Sequence, residues 1–422
     1  MANEKKKRNK KKKRSNGGKK NITTDQSDAY KSVSDWLFLG SSSSPPSLDA
    51  ASSLRSPVFE LHSHSNRSDG FLSPSKLLEK AHHNGVKVLS LTDHDTMAGI
   101  PEAIEAGRRF GIKIIPGVEI STLFSSSGYE EPVHILAYYG TCGPAMYDKF
   151  EGFLAKIRDG RFVRGRNMVS KLNKLKIPLK WEDVTRIAGE DVAPGRVHVA
   201  RALLEGGYVE NLRHAFTKYL HDGGPAYSTG SEPASEEAVK LICETGGVAV
   251  LAHPWSLKDH VSVIRRLKDA GLHGVEVYRS DGKLEVFSEL ADTYSLLKLG
   301  GSDYHGKGGR YETELGSVNL PVTALQAFLN VARPIWCEAI KATMRTFLNQ
   351  PSDSNLSNIL RFDRLRILKG NSALSCGMEL MDRCLSIWLA SDERDSDEFE
   401  ALRLELSSVS ITTNGSCVTV GP

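Results

Sequence analysis

The chain has no uninterrupted apolar run approaching the roughly 20 residues a membrane helix needs, so no membrane span is expected. Its six cysteines (Cys142, Cys243, Cys337, Cys376, Cys384 and Cys417) are scattered and never spaced Cys-x-x-Cys. That pattern argues against a structural zinc ribbon and for a reducing, intracellular compartment. The N-terminus lacks the apolar stretch of a secretory signal, and its Lys-dominated character does not suit an Arg-rich transit peptide. Net positive charge is absent outside that end. Residues 1–20 hold eleven Lys or Arg against one Glu, a balance of +10; the whole chain is +4, which leaves −6 for the rest. Such a run cannot bury a core and is expected to be a disordered arm, with the Ser/Pro stretch 41–47 as a linker. The arm reads as a nuclear localisation signal met by an import receptor, as a nucleic-acid-binding arm, or as a solvated tail. Nucleus and cytoplasm both fit.

The remainder has the composition of a soluble globular protein, 40% hydrophobic and 25% charged over 422 residues. That length holds one large barrel with appendages, or two to three ordinary domains. Seven short apolar runs read as strands: 58–61, 86–91, 112–118, 134–138, 247–252, 274–278 and 296–301. Several are nearly continuous in Val, Ile, Leu and Ala, as expected of parallel strands covered on both faces. Helical patterns separate many of them. Ser73-Pro74 supplies an N-cap and an N1 proline to a helix whose stripe is Leu77, Leu78 and Ala81 and whose C′ residue is Gly85. Further helices are expected over 101–110, ending at Gly111, and over 260–270, ending at Gly271.

Strand–helix alternation with polar residues at the strand ends favours an α/β barrel whose active site lies at the C-terminal face. Residues 1–56 are then arm and linker, and 57–149 and 236–321 the two parts of the barrel. Between them, 150–235 are mostly helical and basic, too long for an ordinary connection, and are expected to form an inserted subdomain over the barrel mouth. A mostly helical C-terminal extension, 322–422, has helices near 325–348 and 377–389 and no catalytic motif; it packs on the barrel or recruits a partner.

Chemistry concentrates at the strand ends. The first run is followed by His62 and His64, whose i, i+2 spacing in an extended chain sends both imidazoles to one side. Asp69 follows a short loop later. Later runs bring Asp93-His94, Glu119, His134, His253 and Asp303-x-His305. His82, His83, His214, His221, His260 and His273 sit elsewhere and are read as surface or hydrogen-bonded residues. Ten metal-competent side chains at one barrel end would repel one another and lose hydration without counter-charge, a problem that divalent cations solve. Mixed imidazole and carboxylate suits Mn, Fe or Zn better than Ca or Mg. The number of ligands calls for two or three ions, and closely spaced ions fit hydrolysis of phosphate esters.

These residues resemble the motifs of the PHP (polymerase and histidinol phosphatase) metal-dependent phosphoesterases over about residues 57–320. His62-x-His64, Ser68-Asp69-Gly70, Asp93-His94, Gly117-Val118-Glu119, His134, His253 and Asp303-x-His305 follow in the family's order. The resemblance implies a distorted (β/α)7 barrel, in agreement with seven strands. Asp69 and the long insertion look like the branch of nucleoside 3′,5′-bisphosphate phosphatases that also act as 5′→3′ exoribonucleases on short RNA. A trinuclear centre is implied: one metal held by His62, His64, Glu119 and Asp303, a second by Glu119 as a bridge with His134 and His253, a third by Asp69, His94 and His305. Mn2+ is the first expectation, with Zn2+ or Fe2+ as alternatives. Asp93 and Asp95 are then expected to orient imidazoles. The segment Ala193 to Arg201 looks like the one that carries substrate contacts in this branch. Arg196 would clamp a second phosphate, and His198 would contact phosphate or protonate the leaving oxygen. Arg201 is read equally as a substrate contact or a solvated helix residue.

The function expected is thus removal of the 3′-phosphate of a nucleoside 3′,5′-bisphosphate, with 5′→3′ trimming of short RNA. Two alternatives stand beside it: a small-molecule phosphatase of the histidinol-phosphate type, and a non-catalytic nucleic-acid-binding protein with a structural metal cluster. Oligomeric state is left open.

Overall fold

The computed structural model describes residues 23–37, 57–126, 128–282, 285–308, 312–362, 396–407, 410–414 and 417–421. The basic stretch 1–20, the linker 41–47 and the helix expected at 377–389 lie outside the described residues. A first helix, α1 (Thr24–Leu37), precedes β1 (Val58–Ser63), α2 (Pro74–His83), β2 (Val86–Leu91), α3 (Ile100–Phe110), β3 (Lys113–Ser126) and β4 (Tyr129–Tyr138). A helical stretch follows: α4 (Tyr147–Lys174), α5 (Trp181–Ala188), α6 (Arg196–Glu205), α7 (Leu212–Ala215) with the π turn Phe216–Leu220, and α8 (Ser235–Glu244). The chain then returns through β5 (Val248–Leu251), α9 (His260–Ala270), β6 (Gly274–Glu276), α10 (Glu285–Thr293) and β7 (Leu297–Leu299). Among the described residues, α11 (Val322–Asn349), α12 (Asp353–Ile359) and α13 (Asp397–Leu406) come next. The chain ends with an antiparallel pair, β8 (Ser410–Asn414) and β9 (Cys417–Gly421), that the helical expectation for 322–422 did not include.

Local chemistry sets these boundaries. Ser73 caps α2 by accepting from the Lys76 N–H, and Gly85 leaves the helix with φ +81°. Gly111 and Gly271 end α3 and α9 in the left-handed conformation. The seven strands form one sheet in sequential order. After β7 the chain closes onto β1: Asp303 N–H donates to the His62 carbonyl (2.9 Å) and His64 N–H to the Tyr304 carbonyl (2.8 Å).

One strand departs from the parallel expectation. β4 runs antiparallel to both β3 and β5. A tight hairpin at Gly128 (φ +82°) joins β3 to β4, and parallel neighbours would need a crossover of about a dozen residues or more. Hence β4 begins at Tyr129, and His134 lies mid-strand rather than opening it.

Two cores sandwich the sheet. Helix faces such as Leu77, Leu78, Ala81 and Ile264 pack on its outer side. Phe59, Leu61, Val88, Ile115, Leu136 and Val250 form an inner cluster with Phe328 and Trp336 of α11. Trp36 and Val33 of α1 join this inner cluster, which corrects the reading of all of 1–56 as arm and linker. Ala29, Val33 and Trp36 share one helix face and are buried. Since Trp36 meets Lys113 at the start of β3, α1 docks at the barrel end opposite the strand C-termini.

Candidate metal centre

At the C-terminal ends of the strands, side chains converge on Glu119. The carboxylate, 1% exposed, lies 3.3 Å from His62 Nε2, 3.1 Å from His64 Nε2, 3.2 Å from His94 Nδ1, 2.9 Å from His134 Nδ1 and 3.1 Å from His253 Nε2. Asp303 Oδ1 sits 3.4 and 3.1 Å from the same nitrogens of His62 and His64. On the other flank Asp69 Oδ1 lies 3.1 Å from His305 Nε2 and 3.9 Å from His94 Nε2. All nine expected ligands therefore meet at one site.

Three groups of atoms are spaced to hold ions: His62, His64, Glu119 and Asp303; His64, Asp69, His94 and His305; and His94, Glu119 and His134. The first is the expected set. The second adds His64, and in the third His94 stands where His253 was expected, although His253 also reaches Glu119.

The donor set fits cations. Nε2 of His62 and of His64, Nδ1 of His94, Oδ1 of Asp69 and Oε2 of Glu119 are buried without a hydrogen-bond partner. Orphaned buried polar atoms are costly unless something else satisfies them. Electrostatics agree. Burial opposes charge on His64, yet Asp303 and Glu119 overcome it and push the imidazole up to about 10. Burial likewise disfavours the Glu119 carboxylate, but His94, His62 and His134 hold its pKa well below the usual range. Backbone strain is stored here too: His253 (φ 28°) and Asp303 (φ 52°) occupy a region that side chains rarely adopt.

Asp93 and Asp95 do not orient imidazoles directly. Asp93 accepts from Ser65 N–H (2.7 Å), Ser65 Oγ (2.6 Å) and Ser68 Oγ (2.7 Å), which ties down the loop carrying Asp69. Asp95 accepts from Ser121 N–H and Arg161 Nε, which fastens α4 over the mouth. The group that orients His62 is Glu276, an acid inside the apolar run of β6. Its Oε1 lies 3.1 Å from His62 Nδ1, and its Oε2 accepts the His253 N–H at 2.7 Å. Glu60 is its counterpart in β1, accepting from the backbone N–H groups of His62, Ser302 and Gly316. Sequence reading passed over both. Their signal was a charge embedded in a buried strand, which persists only when partnered.

In the segment 193–201 the three residues expected to meet substrate make contacts within the protein. His198 is 1% exposed; its Nδ1 accepts the Gly195 N–H (2.9 Å), and its ring interacts with the Ser68 backbone. Burial lowers its pKa to about 4, so the ring is neutral near pH 7 and has no proton to give as an acid. This geometry makes it a brace between α6 and the Asp69 loop. Arg196 pairs with Asp222 (2.5 Å) and lies over Tyr227. Arg201 is not simply solvated: its guanidinium carbon sits 4.4 Å from the Phe71 ring centroid. Two further arginines of α4 went unnoticed. Arg161 is buried and also donates to Ser121 Oγ, and Arg164 pairs with Glu232. The histidines placed outside the site lie outside it, as with His82, which meets the Phe110 carbonyl.

The comparisons agree with this geometry. The PHP domain profile matches residues 60–150. A 3′,5′-nucleoside bisphosphate phosphatase of Chromobacterium violaceum is 34% identical over 290 residues, 66% of this chain and 95% of that protein. The 5′-3′ exoribonuclease Rnm of Salmonella typhimurium is 36% identical over 258 residues, 59% of this chain and 85% of its own length. A solved metal-dependent phosphoesterase from Bifidobacterium adolescentis superposes with a TM-score of 0.58 at 28% identity, covering 65% of this chain and 96% of that one. Strand order, clustered ligands and relatives coincide: the chain belongs to the PHP domain family and is a metal-dependent phosphoesterase.

Proposed function

We propose that the protein removes the 3′-phosphate from nucleoside 3′,5′-bisphosphates and trims short RNA in the 5′→3′ direction. Both reactions require one phosphate to be held while another is hydrolysed. The observation that carries this reading is a guanidinium cluster beside the metal-competent acids. Burial lowers the Arg164 pKa to about 10, and the neighbouring Arg161 and Arg196 charges add to that. Each of the three is paired with a carboxylate, Arg161 with Asp95, Arg164 with Glu232 and Arg196 with Asp222, and a phosphate dianion can take a carboxylate's place on such a guanidinium. Arg196 is the most exposed of them and would exchange Asp222 for that phosphate. The helical segment 150–235 then acts as the substrate-binding subdomain.

The hydrolytic site is assigned to His62, His64, Glu119 and Asp303, to Glu119 with His134 and His253, and to Asp69, His94 and His305, loaded with two or three ions, Mn2+ first. Bound cations supply an activated water and offset charge on the phosphoryl and leaving oxygens. The protein's part is to keep the imidazoles aimed through Glu276 and the Asp69 loop in place through the His198 brace. Residues 1–20 are assigned to contact with RNA or an import receptor; deleting them should alter RNA affinity or localisation and leave hydrolysis intact.

The test is a substrate panel. Purified protein with Mn2+ should release phosphate from adenosine 3′,5′-bisphosphate, EDTA should abolish release, and Arg196→Met should raise KM more than it lowers kcat. Turnover of histidinol phosphate without turnover of the bisphosphate would overturn the assignment.

A further inference from the structure

The mouth of the barrel carries an aromatic group that the metal chemistry does not use. Beyond β5 the chain turns sharply at His253 and makes a single 3-10 turn, Pro254–Ser256. That turn fixes Trp255 two residues from a metal-competent imidazole, with the two ring centroids 6.5 Å apart. Arg279, just past β6, lays its guanidinium carbon 4.4 Å from the Trp255 ring centroid. The Phe287 ring meets Trp255 edge-on at 6.2 Å. Trp255 belongs to none of the buried hydrophobic clusters and is only half-buried. The Arg279 side chain keeps 25% of its exposure and pairs with Asp281 at 2.8 Å.

We infer that Trp255 and Arg279 form a stacking platform for the nucleobase of the substrate, an assignment that rests on the nucleotide reading above. A large apolar ring held half-open beside a hydrolytic centre is costly to leave in water, and a base covers it. Flat π-faces stack on Trp, and a guanidinium plane adds a cation–π contact. Lying over the Trp255 ring and paired with Asp281, Arg279 extends that flat face. Stacking reads the presence of a base and not its identity, so all four bases are accepted, purines best by area. The arginines of α4 and α6 hold one phosphate, the metal-competent acids face the other, and Trp255 takes the base. Abasic sugar phosphates are thereby disfavoured.

The experiment compares adenosine 3′,5′-bisphosphate with ribose 3,5-bisphosphate, which lacks the base, in Mn2+-loaded full-length protein. Wild type should prefer the nucleotide by roughly 5- to 150-fold in kcat/KM, the range of one base–aromatic stack. Trp255→Leu should collapse that ratio toward one, mostly through KM, whereas Trp255→Phe should retain most of it. Equal melting temperatures of the EDTA-treated proteins check the fold. If Trp255→Leu loses the same factor on both substrates, or none on either, the platform is wrong while the nucleotide reading stands. Wild type that hydrolyses neither bisphosphate would overturn that reading and the platform with it.

Discussion

Glu276→Gln tests whether one buried acid sets the affinity of the metal centre. The Glu276 carboxylate is 2% exposed and meets two donors at once, the His62 ring through Nδ1 and the His253 backbone N–H. Glutamine keeps the shape but has one acceptor oxygen, so its NH2 must face one of those donors. An unsatisfied buried donor costs about 1–3 kcal/mol. At about 1.4 kcal/mol per factor of ten, that is roughly 5- to 150-fold in affinity. The figure overlaps the 10- to 100-fold typical of losing a group that orients a ligating histidine. Metal content after gel filtration, together with Mn2+ titration, reads the effect directly. Circular dichroism melts of EDTA-treated protein separate it from unfolding. A variant that binds Mn2+ within about twofold of wild type would refute the reasoning. A lowered melting temperature with unchanged affinity would make Glu276 a strut of the fold alone.

Three further outcomes follow from the same geometry. Asp303→Asn should lose at least about tenfold in metal affinity and most of the phosphatase activity while the EDTA-treated fold melts as before; full activity would remove Asp303 from the ligand set. In the metal-free protein the His64 pKa is raised above its unfolded value, so its contribution to stability is complete below about pH 6.5 and disappears as pH rises through about 10. Metal-free protein should lose stability over that alkaline window, and loading at pH 7 should expel protons; calorimetry in buffers of differing ionisation enthalpy that finds no release would contradict this. Trp36→Ala should cost about 3–5 kcal/mol in denaturant unfolding and spare kcat, because the side chain is 1% exposed at the far end of the barrel. A loss under about 1 kcal/mol would contradict the docking of α1.

Much of this was legible because the signals are local. Capping residues and left-handed glycines set α2, α3 and α9 almost to the residue. Ligands at strand ends announced themselves by residue type alone. What stayed hidden depends on distant partners. Nothing within 134–138 states strand direction; the missing helix between the third and fourth strands was the available clue. Helix α1 is marked only by Ala29, Val33 and Trp36, a short stripe next to a conspicuous basic run. Glu60 and Glu276 look like interruptions of a strand until donors distant in sequence, such as Ser302 and the His253 N–H, are in place. Arg161 and Arg164 were indistinguishable from the other basic residues of a basic helix.

The reversal of β4 has a consequence for how the centre is assembled. Glu119 and His134 lie on adjoining arms of one hairpin, with Glu119 opposite Leu136 and Ser121 opposite His134. A slip of one residue in that pairing would turn one arm's ligand to the wrong face of the sheet and separate the two. Asp303 and His305 come to the same cluster of side chains only where the end of the barrel meets its beginning at His62 and His64. Ions bound there would rivet a seam: one side is a self-contained ribbon, the other the joint at which the cylinder is sewn shut.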